Sequence, residues 1–206
     1  MDNRAQMVHC PFVPSHGESS GTRASVVRVC AAVLVALLAL GAAACGESDS
    51  QKQADEYADS LCMSISDWQQ QINSIVATLT PGSPKQVAQT KLEQAKAATV
   101  SLVSEIRALP VPEVDGASEA KQDIDQLVTS AESTVTTIEA GVTQIKSFGT
   151  GAGNVATVVV PIAAQLTKLV TDAKTTVASL EAVQGSFEKA VKNSDTCQAL
   201  KPDQGK

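Results

Sequence analysis

The chain has 206 residues, 16 Lys and Arg against 22 Asp and Glu, a net charge of −6, 43% hydrophobic residues and only 2% aromatics. An acidic chain of this kind is a poor partner for nucleic acid or for an anionic bilayer surface, since both repel negative charge. Its two histidines, His9 and His16, both lie near the start, so Ser-His-Asp triads, Cys-His pairs, His-ligated zinc and Glu-x-x-His di-iron motifs are excluded from the bulk of the chain.

Residues 1–22 are polar and include Cys10-Pro-Phe-Val-Pro-Ser-His16, which reads as an N-terminal extension or as a start site placed too early. Residues 23–44 have the grammar of a signal peptide: Arg23 and Arg28, an apolar run from Val29 to Leu40, then the small residues Gly41 to Ala44. The segment Ala42-Ala43-Ala44-Cys45 resembles the lipobox of bacterial lipoproteins, although leucine is the commoner residue where Ala42 stands. The resemblance implies that the Cys45 thiol takes a diacylglycerol and that Cys45 becomes the new N-terminus. Two other outcomes use the same residues. Ala42-x-Ala44 is also a small-x-small cleavage signal for free secretion, and the run from Val29 could stay uncut, though it falls short of the roughly 20 apolar residues a membrane-spanning helix needs.

Residues 46–54 form a polar tether that reaches at most roughly 30 Å from Cys45. From Asp55 the pattern turns helical, with Leu61, Ile65, Trp68, Ile72, Ile75 and Leu79 at alternating steps of four and three. Asp55, Glu56 and Asp59 suit the positive end of that helix, and Thr80-Pro-Gly-Ser-Pro84 stops it. A second helix, about 85–109, carries Ala88, Leu92, Ala95, Thr99, Leu102, Ile106 and Leu109, with Arg107 in its last turn and Pro110 and Pro112 beyond. A third places Ile124, Val128, Ala131, Val135, Ile138, Val142 and Ile145 on one seam, with Glu119 early, Lys146 late and Phe148 closing it. Gly149-Thr-Gly-Ala-Gly153 is a joint, and Asn154 is a candidate cap for the next helix. The fourth helix carries Ile162, Leu166, Leu169, Ala173, Thr176, Leu180, Val183, Phe187 and Ala190, running to about Lys192. Pro161 either kinks a helix begun at Asn154 or marks where regular helix starts. Asn193 onward reads as a polar tail that includes Cys197.

Four seams of similar length with short breaks predict an all-α fold, an antiparallel up-down-up-down four-helix bundle over residues 55–197. Residues 198–206 are left as the tail. The cysteines sort themselves once the chain is cut before Cys45: Cys10 and Cys30 leave, Cys45 is acylated, and Cys62 and Cys197 remain as a pair. Outside the cytoplasm such a pair is most simply a disulfide, with a free or metal-binding pair as the other reading. The bundle topology brings the start of the first helix and the end of the fourth together, which independently suits a disulfide clasp. After the cut thirteen Lys and Arg face twenty Asp and Glu, and both histidines are gone.

Other chemistry is weaker. The glycine joint follows a helix instead of a strand, and Asn154 replaces the third glycine of a phosphate loop. Val111 and Gln122 stand at the first and last ligand positions of what would be a calcium loop around Glu113 and Asp115, which excludes an EF-hand and leaves only adventitious calcium on Glu113, Asp115 and Glu119. No carboxylate falls on an apolar seam, where burial would tune it for acid–base work. Neither a cofactor nor a metal is expected, and no enzymatic activity. Tyr57 and Trp68 share a helix face and suit core packing, with a ligand-stacking role as the other use; the run around Val158, Val159 and Val160 either covers the bundle end or forms a contact patch.

The signal and the Cys62-x5-Trp68 helix are similar to those of the small helical lipoproteins of actinobacteria. That likeness implies location more than activity: a cell-envelope module, held to the outer face of the membrane by its lipid, that binds another envelope protein or serves a structural role. A carrier holding a lipid or other apolar ligand between the helices is the alternative, and a freely secreted helical protein a further one.

Overall fold

The computed structural model describes residues 49–149 and 154–201, all within the unit formed by residues 47–206. Residues 1–48 lie outside the described residues, and with them the N-terminal extension, the signal segment and Cys45. So do most of the glycine joint and the tail from residue 202. The described secondary structure is helical throughout, without a strand: α1 Asp49–Thr78, α2 Lys85–Ala108, α3 Ala117–Ser147, α4 Ala156–Leu180, α5 Ser186–Asn193 and α6 Asp195–Leu200.

The expected seams lie in the core. Leu61, Ile65, Trp68, Ile72, Ile75 and Leu79 of the first seam are buried, as are Ala88, Leu92, Ala95, Thr99, Leu102 and Ile106 of the second. In α3, however, Val135 is only half-buried and Thr134 is buried in its place, beside Leu127 and Gly141. A helix of about 3.6 residues per turn drifts against a strict four-three repeat, and over 31 residues the buried stripe moves round the helix. Gly141 falls where α3 and α4 approach most closely; a Cβ there would collide with Ile162 Cδ1.

Three boundaries differ from expectation. Helix α1 starts at Asp49, within the stretch read as tether, because Ser50 to Ala54 contains good helix formers and buried Ala54 extends the seam. Helix α4 begins at Ala156 and runs through Pro161, so regular helix does not wait for the proline; Val155, not Asn154, holds the N-cap position, and no side chain caps there. The fourth helix does not continue to Lys192 but ends at Leu180. The chain turns at Gly185, whose φ of 111° is a left-handed value open to glycine, and forms α5 and α6. A side chain at Gly185 would strike Asp115, and one at Gly116 (φ 87°) would strike Gln184 and Val183, so these two turns pack back to back. The segment read as a polar tail is therefore partly ordered helix, with Cys197 and Leu200 buried and Ser194 accepting a hydrogen bond from the Cys197 amide at 3.2 Å.

Cross-helix pairs give the packing. Glu93–Lys146, Lys96–Glu139 and Arg107–Glu132 set α2 antiparallel to α3, and Lys85 Nζ donates to the Lys146 carbonyl at the end of that pairing. Ser179 with Asp123 and Gln165 with Thr134 set α3 antiparallel to α4. Helix α1 packs against α2, α4, α5 and α6.

Candidate functional site

The N-terminal half of α1 forms the densest constellation of the residues singled out by sequence. Cys62 lies on its buried face and is joined to Cys197 of α6 by a disulfide with a Cα–Cα distance of 5.1 Å; both residues are fully buried. Cys197 Sγ lies 3.4 Å from the Ala58 carbonyl. Around the bond, α5 and α6 form a hairpin laid along α1. Tyr57 meets Phe187 with ring centroids 5.8 Å apart and a tilt of 59°, and Gln51 Nε2 donates to the Ser186 carbonyl. Glu181 at the end of α4 receives both Gln198 Nε2 and the Lys201 ammonium, which ties α6 back to α4. Burial holds the Tyr57 phenol above its ordinary pKa of 10.0, with the negative charge of Asp125 pushing the same way.

Trp68 is 2% exposed, and its indole N–H donates to Thr99 Oγ1 at 3.2 Å; the Thr99 hydroxyl in turn donates to the Ala95 carbonyl at 2.8 Å. The partner that a buried indole requires is thus a threonine on the seam of α2. Gln69, also buried, donates to the Val170 carbonyl of α4. Thr134 accepts from Gln165 across α3 and α4.

Most of the residues considered for a contact or ligand face lie in the core. Tyr57, Trp68, Val158 and Val159 are buried, and only Val160, 50% exposed, reaches solvent. A helix turns about 100° per residue, so three consecutive valines cannot all face outward. Cys45, the expected lipid site, lies outside the described residues. Glu113, Asp115 and Glu119 do not converge; among the described residues no group of three or more His, Cys, Asp or Glu is placed to hold a metal ion.

Two surface grooves were not foreseen. The larger, about 790 Å³ between α1 and α2, has Ala98, Leu102 and the edge of Trp68 as its floor, and Asp67, Lys91 and Glu105 among its walls. The other, about 510 Å³ between α2 and α3, is lined by Val100, Val103 and Val135, and the Arg107–Glu132 ion pair closes one end. The available signal was the off-seam valine Val100, which is 46% exposed. Among the described residues, no helix is long and apolar enough to cross a membrane. No protein-family model matches the chain, and neither a curated protein nor a solved structure shows significant similarity to it.

Proposed function

We propose that this chain is an extracytoplasmic lipoprotein, anchored through Cys45, whose helices serve as a non-enzymatic interaction or structural module. The observation that carries the reading is the buried Cys62–Cys197 disulfide. It joins the two cysteines that remain once cleavage before Cys45 removes Cys10 and Cys30. Disulfides form and persist in oxidising compartments, and residues 23–44 have the composition to direct export to one. We read α1–α4 as an up-down-up-down bundle: the antiparallel pairing of α2 with α3 and of α3 with α4, together with the contact of α1 with both α2 and α4, closes the ring of four. The α5–α6 hairpin extends it at the end where α1 begins.

Because α1 starts at Asp49, only residues 46–48 separate it from Cys45, a reach on the order of 14 Å. The module then rests close to the membrane with its α5–α6 end inward. Trp68, Leu92, Ile138 and Leu166 fill the interior between the helices, which favours interaction through the surface over carriage of a ligand inside. The test is metabolic labelling with an alkyne fatty acid, comparing wild type with Cys45→Ala, followed by native mass spectrometry of the protein taken from its own membrane. Acyl label and membrane retention that both vanish in Cys45→Ala support the reading. A variant that keeps either one overturns the anchor, and an added small-molecule mass would move the assignment to a carrier.

A further inference from the structure

We infer that lipidation of Cys45 protects Cys62: thioether formation removes the thiol that would outcompete Cys197 for it, so a diacylglyceryl transfer precedes the oxidation that closes Cys62–Cys197. This deepens the lipoprotein reading above and rests on it. The starting point is where the partner and the cover of Cys62 come from. Cys62 lies on α1, the first described helix, has no exposed surface, and is bonded to α6, which packs along α1 together with α5. Its partner and its cover are thus the last described helices, and Cys197 follows it by 135 residues. A chain made and exported from its N-terminus presents Cys62 long before either. At about 5–20 residues per second the wait for Cys197 is on the order of ten seconds, within the range in which thiols oxidise.

During that wait Cys45 stands only 17 residues from Cys62, whereas Cys10 and Cys30 leave with the signal. Loop closure falls roughly as the three-halves power of loop length, so in an unfolded chain the 17-residue loop closes about twentyfold more readily than the 135-residue one. The folded module has no place for the competing bond. From Asp49 to Cys62 helix α1 rises about 20 Å, the chain from Cys45 to Asp49 extends at most roughly 14 Å, and Cys62 faces the core. A Cys45–Cys62 bond therefore keeps the first turns of α1 from winding and deprives α5 and α6 of the surface they pack on. In lipidation the Cys45 sulfur bonds to a glyceryl carbon of a phospholipid; the phosphate headgroup leaves and the thiol proton goes to solvent. Without a thiolate to offer, that sulfur takes no part in disulfide exchange. Closing Cys62–Cys197 then releases two protons and passes two electrons to a disulfide-bearing thiol oxidase, which leaves as a dithiol.

The experiment follows the full exported chain in its own cells, pulse-labelled, quenched with N-ethylmaleimide and mapped as non-reduced peptides. Three forms are compared: wild type, a form in which residues 1–44 are replaced by a secretory signal cleaved without lipidation, and the same secreted form carrying Cys45→Ala. Wild type and Cys45→Ala should show Cys62–Cys197 as their link from the first samples. The secreted form that keeps Cys45 should show Cys45–Cys62 as its main early link, and should reach the native pair at least about tenfold more slowly than Cys45→Ala. Equal rates in those two secreted forms, with no Cys45–Cys62 peptide, overturn the inference. A wild type whose Cys45 carries no lipid mass overturns the anchor reading and the protection with it, whereas the two secreted forms decide the competition between Cys45 and Cys197 on their own.

Discussion

Replacing both Cys62 and Cys197 with alanine tests what the disulfide contributes to the fold. The bond spans 135 residues of sequence, and in the chain-entropy model opening a loop of that size returns about 5 kcal/mol to the unfolded state. Measured effects commonly fall below the model, so a loss of about 3–5 kcal/mol is expected, against a total of about 5–15 kcal/mol for a domain. Urea unfolding followed by circular dichroism gives both observables. The midpoint should fall, and the slope should rise, because an unfolded chain without the cross-link exposes more surface. Since neither sulfur is exposed, reduction of wild type by a dithiol should be slow and should follow opening of α6. A stability loss below about 1 kcal/mol with an unchanged slope would refute the reasoning, because the loop would then not be restricting the unfolded state.

Two further perturbations address the buried polar groups. Thr99→Val keeps the shape of the side chain but strands the Trp68 indole N–H, and should cost about 1–3 kcal/mol in urea unfolding; in the Trp68→Phe background the same change should cost markedly less, and equal costs in both backgrounds would sink the pairing. Tyr57 has a folded-state pKa raised above 10.0, so the native protein holds the phenolic proton more tightly than the unfolded chain; its contribution is complete below the unfolded value and is lost as pH rises from there through the folded one. Thermal melts from about pH 8 upward should show an alkaline loss beginning near pH 10 that is reduced in Tyr57→Phe, and identical profiles would contradict the burial of this hydroxyl.

The helical class, the four main seams and the cysteine pair were all legible in the spacing of apolar residues and the cysteine count, because each seam arises from periodicity local to one helix. The α5–α6 hairpin was not, and the reason is specific. Leu180, Val183, Phe187 and Ala190 continue the four-three spacing of α4 without interruption, so the apolar pattern alone asks for one long helix. The helix instead ends at Leu180, and the turn at Gly185 packs against Asp115 on the turn before α3, a contact between residues far apart in the chain. The same cause explains the early start of α1. Asp49 to Gln53 has no apolar residue to announce a helix, and the hairpin meets this stretch through the Ser186 carbonyl, which accepts from Gln51. The grooves were hidden for a related reason: an exposed valine carries no signal until its neighbour on another helix is known. Cys197 is the one residue in which local and distant information met. Its pairing with Cys62 came from counting cysteines, whereas its place on a buried helix did not. The clasp therefore does a different job from the one the bundle topology alone suggested. It does not close the end of α4 onto α1; it holds a separate hairpin over the first turns of α1. Were the bond only a bundle closure, its loss would loosen α4 as well. Because Ala173, Val177 and Leu180 of α4 are fully buried in the core, the fraying on reduction should be confined to α6, α5 and the start of α1. Hydrogen exchange of the reduced and oxidised protein checks this, and loss of protection along α4 would contradict it.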